Sequence, residues 1–187
     1  MGLISVRGEI PFGSPEYDAA SEHKHQCAFI EIMEREFRDY HDLAYAIPNG
    51  GKRVGIEKTK LVNEGVKKGI PDLHIPLGTF WDLSKQGVFT FPYPPDGTYR
   101  VRFLSLYLEF KDMNRKSAPK PEQVQKIQRL RSFGHAAFVV HGWKQAECCW
   151  LWYTGQISEQ DCLIRSGLNL AAQLNGDYSF DSWRALL

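Results

Sequence analysis

The 187-residue chain lacks the marks of several protein classes. Uncharged stretches such as SGLNLAAQLNG are too short and too polar to span a bilayer, and the N-terminus has no basic-then-apolar leader. A soluble, intracellular protein with no membrane partner is expected. There is no Cys-x-x-Cys spacing among the four cysteines, Cys27, Cys148, Cys149 and Cys162, so neither a zinc ribbon nor a disulfide framework is indicated. Reduced, mostly buried thiols are expected. The pairs His23/His25 and His135/His141 are read as helix-start and strand-end residues, not as a zinc site. No internal repeat and no low-complexity segment is present. At 43% hydrophobic, the chain has enough apolar residues for one well-buried core and is short for two, so one domain over residues 1–187 is expected.

A net charge of +1 conceals segregation along the chain. Residues 16–42 are predominantly acidic. Residues 52–68 carry Lys52, Arg53, Lys58, Lys60, Lys67 and Lys68, and residues 111–131 carry Lys111, Arg115, Lys116, Lys120, Lys126, Arg129 and Arg131. Basic segments of this kind suit a polyanion, because Lys and Arg contacts to phosphates release counterions and supply sequence-independent affinity. Two solvated basic surfaces would give the same composition.

Ser14-Pro15 and Ser21 offer helix starts. The helix after Ser21 is expected to bury a stripe through Glu22, Gln26, Ile30, Met33 and Phe37. Two readings stand for Glu22: a carboxylate in line with the buried stripe and needing a partner, or a residue at the wet end of the helix. LAYAIPNGGKRVG reads as a short strand ending in a Pro-Asn-Gly-Gly turn, and EKTKLVNEG as a short helix stopped at Gly65. PDLHIPL reads as a strand with Leu73 and Ile75 on one face and Asp72 and His74 on the other. Residues 78–100 read as an elaborated hairpin or loop, and RFLSLYLEFK as one strand with Tyr107, Glu109 and Lys111 on the face opposite Leu108 and Phe110. A helix from Pro119 to Phe133 is opened by Pro121 and closed by Gly134, HAAFVV is a buried strand, and KQAECCWLWY begins a helical C-terminal part. The order implies an α/β fold, a central mixed sheet flanked by helices.

Hydrolysis of a phosphodiester needs an activated water and a place for developing negative charge, and a hard divalent cation supplies both. Mg²⁺ takes oxygen ligands and usually one or two carboxylates. Asp72 and Glu109, on strands able to neighbour one another, meet that need, with the Phe110 backbone carbonyl as a further oxygen. Lys111, two residues beyond Glu109, falls on the same face, placed to orient or deprotonate water and to offset phosphate charge. An Asp followed by Glu-x-Lys is weakly specific alone; the ordered context supplies the specificity.

That context is Glu22 and Gln26 on the first helix, the PNGGKR loop, EGVKKGIPD before one strand, YLEFK ending the next and PEQ opening a helix. In this combination, over about residues 22–140, the chain resembles the VRR-NUC family of the PD-(D/E)XK nuclease superfamily, in particular its stand-alone, phage-type, Holliday-junction-resolvase-like members. The resemblance implies a restriction-endonuclease-like core over about residues 20–142, dependence on Mg²⁺ or Mn²⁺, and cleavage of duplex or branched DNA. It also implies a homodimer and a cytoplasmic setting in a phage-infected or bacterial cell. Carried over by position, Asp72 and Glu109 are metal-binding acids, Lys111 the motif lysine, Glu22 the first-helix acid and Gln123 the glutamine supporting the site. Lys52, Arg53, Lys67, Lys68, Arg115, Lys116 and Lys120 are the expected DNA contacts.

Asp72 and Glu109 are farther apart than in that pattern. The insertion between them, residues 78–100, holds Phe80, Trp81, Phe89, Phe91, Tyr93 and Tyr99. Base-stacking is one use for such a cluster, and packing within the loop or against a partner subunit is the commoner one and is expected here. The C-terminal part, residues 143–187, is expected to be a helical extension, and its tail after about Cys162, with Tyr178, Phe180 and Trp183, to cap the core or make a dimer contact. Two other function classes fit the composition: a non-catalytic DNA-binding module with this fold, and an interaction protein whose charges are all surface.

Overall fold

A computed structural model describes residues 10–48, 60, 63–83, 87–90, 99–113 and 118–178. Helices α1 (Pro15–Ala19), α2 (Glu22–Glu36) and α3 (Arg38–His41) precede strands β1 (Tyr45–Ala46), β2 (Leu73–Ile75), β3 (Thr79–Asp82), β4 (Gly87–Phe89), β5 (Tyr99–Phe103) and β6 (Leu106–Lys111). Then come α4 (Pro121–Ser132), β7 (Ala136–His141), α5 (Trp143–Tyr153), α6 (Glu159–Ser166) and α7 (Leu170–Leu174). The expected EKTKLVNEG helix lies largely outside the described residues.

The central sheet has the order β1-β2-β6-β7, with β1/β2 and β2/β6 antiparallel and β6/β7 parallel. Parallel β6 and β7 need a crossover, and α4 supplies it. The fold is therefore a mixed α/β sheet flanked by helices. On one face, Leu73, Ile75, Leu106, Leu108, Phe110, Phe138 and Val140 pack with Phe29 and Met33 of α2 and Cys148, Trp150 and Tyr153 of α5. Full burial of side chains like these is worth roughly 1.5–3 kcal/mol each. On the other face, Ile127 of α4 lies on Ala137 and Val139. The C-terminal helices are thus part of the core, which also takes in Leu168 and Leu170. Gln173 of α7 reaches β7, its Oε1 accepting from the Val139 N–H at 3.0 Å and its Nε2 donating to the Val139 carbonyl at 2.7 Å. The side-chain amide completes ladder bonds that an edge strand would otherwise lack.

Two expectations are corrected and one is made specific. The buried seam of α2 runs through His25, Ala28, Phe29, Ile32 and Met33, and the expected line through Gln26, Ile30 and Phe37 forms a half-buried shoulder. The apolar residues from Ala28 to Met33 cover an arc wide enough for either register, and packing on β6 and α5 selects its centre. RFLSLYLEFK is two strands, interrupted at Leu104 and Ser105, where the Leu104 N–H turns to the Gly134 carbonyl at 2.9 Å. Within the described residues, the insertion forms a second antiparallel sheet, β4-β3-β5.

Packing accounts for Phe80, Phe89 and Tyr99 of that sheet, whereas Trp81 is 42% exposed. Phe80 stacks on Phe89 at 5.5 Å and meets Tyr99 edge-on at 5.5 Å. Phe91 and Tyr93 lie outside the described residues. Arg102 fastens the small sheet to the rest: its Nη1 donates to the carbonyls of Trp152 and Tyr153, both at 3.0 Å, and its guanidinium lies 4.3 Å from the Trp152 ring centre and 5.2 Å from that of Trp81. It thereby adds a donor to the carbonyls at the end of α5, of which that of Trp152 also accepts the Gly155 N–H at 3.0 Å.

Candidate active site

The register of β2 on β6 pairs Leu73 with Leu108, so its continuation sets Asp72 opposite Glu109. Asp72 Oδ2 accepts the Phe110 N–H at 2.9 Å, extending the ladder beyond the last paired residue by means of a side chain. The Ile47 N–H, just past β1, binds the Asp72 carbonyl at 2.8 Å. Asp72 is therefore tied on both sides before any ligand is considered.

Strand alternation brings Glu109 and Lys111 to one face, as expected, but α4 covers that face. Glu109 is 1% exposed and Lys111 5% exposed, so both charges are out of water. The Lys111 ammonium donates to Glu109 Oε1 at 2.6 Å and to the Phe110 carbonyl at 2.7 Å, and lies 3.4 Å from Glu22 Oε1. Both readings of Glu22 hold in part: it opens α2, with its side chain 44% exposed, and it has a cationic partner.

Gln123 enters from the first turn of α4. Its Oε1 accepts the Lys120 N–H at 2.8 Å, as a glutamine at the third helical position can. That bond fixes the amide orientation and leaves the NH₂ to donate to Glu109 Oε1. Glu109 Oε1 thus has two donors, whereas Glu109 Oε2 is buried with no hydrogen-bond partner.

Burial raises the Glu109 carboxyl to about 7; the charges of Asp72 and Glu22 add to the rise, and the Lys111 ammonium opposes it without cancelling it. For Lys111, burial works against the charge, but Glu109, Glu22 and Asp72 outweigh it and hold the ammonium above its ordinary range. Without metal, then, the lysine is a firmly protonated donor and the glutamate shares its charge with a proton near neutrality.

Among the described residues, no group of three His, Cys, Asp or Glu side chains is gathered to hold a metal unaided. The oxygen set does fit a hard divalent cation, which needs only one or two protein carboxylates and keeps water and phosphate in its remaining positions. The buried, unpartnered Glu109 Oε2 is the observation that favours that fit. The Phe110 carbonyl and Glu22 share the Lys111 ammonium with Glu109 Oε1, and Asp72 is tied to the Phe110 N–H.

Of the expected DNA contacts, Lys67, Lys68 and Lys120 are exposed. Lys67 and Lys68 lie in the connection leading to Asp72, and Lys120 caps α4 beside Gln123. Lys52, Arg53, Arg115 and Lys116 lie outside the described residues. The sequence reading missed the Asp72 bond to the Phe110 N–H, which depends on register, and the close approach of Gly69 to α4, for which a glycine between Lys68 and Ile70 was the available signal. Of the paired histidines, His25 is buried in α2 with its Nδ1 accepting from the Trp143 N–H at 3.4 Å, and His141 ends β7 with its Nδ1 on the Asp112 carbonyl at 3.0 Å.

No helix among the described residues is long and apolar enough to cross a membrane. No protein-family model matches the chain, and no curated protein matches it. Among solved structures, a chain described as "VRR_NUC domain protein" is similar to this one at 21% identity, covering 66% of this chain and 79% of that chain with a TM-score of 0.47.

Proposed function

We propose that the chain is a metal-dependent endonuclease that hydrolyses DNA phosphodiester bonds, with Asp72 and Glu109 as metal-binding acids and Mg²⁺ or Mn²⁺ as the cofactor. The observation that carries this reading is the buried Glu109 Oε2 without a partner, on a carboxylate whose Oε1 is held by Lys111, which also binds the Phe110 carbonyl. When bound, the cation would supply a water acidic enough to attack at neutral pH and a counter-charge for the phosphate.

The protein's own groups do the rest. Asp72 is held by the Phe110 N–H, so its other oxygen is directed by a fixed backbone. Gln123 and Lys111 both donate to Glu109 Oε1, which orients the carboxylate and favours its ionised form. Lys111, held protonated by its acidic neighbours, acts as a donor and positive charge toward a phosphate oxygen or a water; a general base would need a lowered pKa. Lys67, Lys68 and Lys120 on the exposed rim supply phosphate contacts, which position a duplex without reading its sequence.

Selectivity for branched DNA such as a four-way junction, and a homodimer whose two centres cut symmetrically, belong to the same proposal. A cleavage assay on matched linear, flapped and four-way-junction DNA with Mg²⁺, Mn²⁺ or EDTA tests it, alongside sedimentation equilibrium. Fastest metal-dependent cutting on the junction by a dimer supports it; equal rates on all three substrates remove the structure selectivity. The competing reading is a non-catalytic DNA-binding module that keeps this fold. Calorimetry separates the two, since a pure binder should take up neither Mg²⁺ nor Mn²⁺.

A further inference from the structure

The connection before Asp72 makes one contact with α4 that no side chain could make. Gly69 has φ +74, and a Cβ there would stand 2.6 Å from the Glu122 carbonyl oxygen and 3.2 Å from the Gln123 nitrogen. The obstacle is helix backbone, which cannot swing aside as a side chain can. The peptide that Gly69 touches belongs to the residue whose NH₂ donates to Glu109, and three residues after Gly69 comes Asp72, whose carboxylate holds the Phe110 N–H. Two arms of the candidate site, one from β2 and one from α4, are therefore in backbone contact through a single glycine.

We propose that Gly69 is a positioning residue: by letting the Asp72 connection lie directly on the first turn of α4, it sets the Gln123 amide against Glu109. The inference rests on the nuclease reading for its functional consequence and on geometry alone for the Gln123 contact. Any side chain at position 69 pushes the first turn of α4 away, and Gln123 follows. Displacements of about 1 Å in such support can cost on the order of 100-fold in rate.

Gly65 provides the control. It lies in the same connection at φ +97, yet a Cβ there would meet nothing within 4 Å. Gly65→Ala thus carries the backbone strain of an L-residue at positive φ without the collision. Gly69→Asn complements Gly69→Ala, because asparagine tolerates positive φ better while keeping the obstructing Cβ. It serves if the alanine variant does not fold.

The experiment compares wild type, Gly69→Ala, Gly69→Asn, Gly65→Ala and Gln123→Ala. The Gln123 side-chain NH₂ resonances, assigned by their loss in Gln123→Ala, are followed by ¹⁵N-correlated NMR on the metal-free chain, and kcat and KM are measured on junction DNA. The expected result is that both Gly69 variants move the Gln123 NH₂ signals to free-amide positions and lower kcat by about 10- to 100-fold, with KM within about twofold. Gly65→Ala should lose only the stability that positive φ costs an L-residue and do neither. Unchanged Gln123 signals in the Gly69 variants, or the same shift in Gly65→Ala, would overturn the inference. Should the wild type cut no DNA, the nuclease reading fails, and the NMR comparison still decides the contact.

Discussion

The ammonium of Lys111 stands 2.6 Å from Glu109 Oε1, with both side chains almost wholly out of water. The lysine shares this oxygen with the Gln123 amide, and the other oxygen of Glu109 has no partner. The pair is therefore asymmetric: one carboxylate oxygen is bound within the chain and the other is left for something else.

Removing the lysine should expose this dependence. Lys111→Met is expected to lose about 3–5 kcal/mol at pH 8, the usual cost of leaving a buried charge alone. At pH 5.5 the loss should be smaller by about 1.4 kcal/mol, because Glu109, raised to about 7, already carries its proton there. Urea unfolding at the two pH values reads the difference. Equal losses would mean that the pair is not what the lysine supports.

Glu109 should also leave a mark on the metal-free chain's stability between about pH 4.5 and about pH 7. In that window the folded chain keeps a proton that the unfolded chain has released, so raising the pH favours unfolding. Burial lowers His74 and His141 to about 4 and shifts His25 the same way; these groups stay neutral when folded and tilt the profile in the opposite direction. The readable quantity is thus the difference between Glu109→Gln and wild type. The variant should gain stability relative to wild type as pH rises through the window, and parallel profiles would contradict the raised carboxyl.

Gln123→Glu should be worse than Gln123→Ala. The glutamine gives its carbonyl to the Lys120 N–H and its NH₂ to Glu109, and a glutamate can do only the first, setting a second carboxylate against Glu109. Weaker Mn²⁺ binding than in Gln123→Ala is not expected, since an added acid attracts a cation; slower cleavage is. Single-turnover rates at saturating Mn²⁺ test the order.

The basic rim should be visible in salt dependence. If Lys67, Lys68 and Lys120 each contact one phosphate, replacing all three by Ala lowers the slope of log affinity against log salt by about 3. An unchanged slope would assign DNA binding to other residues.

The placement of Asp72, Glu109 and Lys111 on neighbouring strands was legible because apolar and polar residues alternate along LHI and LYLEFK in sequence, although β6 is buried on both faces, and the place of Gln123 because Pro121 fixes where α4 begins. The mixed α/β architecture followed from the order of elements. The rotation of α2 was not legible, since its apolar arc is wider than one stripe and the neighbours choose the centre. The small sheet was hidden by short strands, an irregular register at Thr79 and Phe80, and a run of Gly and Pro. Nor could the sequence show that Lys111 turns back onto the Phe110 carbonyl, because a strand's period gives a side chain's face and not its reach.

The most direct test is cleavage of four-way-junction DNA by wild type and Asp72→Ala in Mg²⁺, Mn²⁺ and EDTA, with circular dichroism to show that both are folded. The account predicts metal-dependent cutting by wild type, none in EDTA, and loss of cutting in Asp72→Ala with DNA binding largely kept. Cutting by Asp72→Ala at the wild-type rate would contradict it.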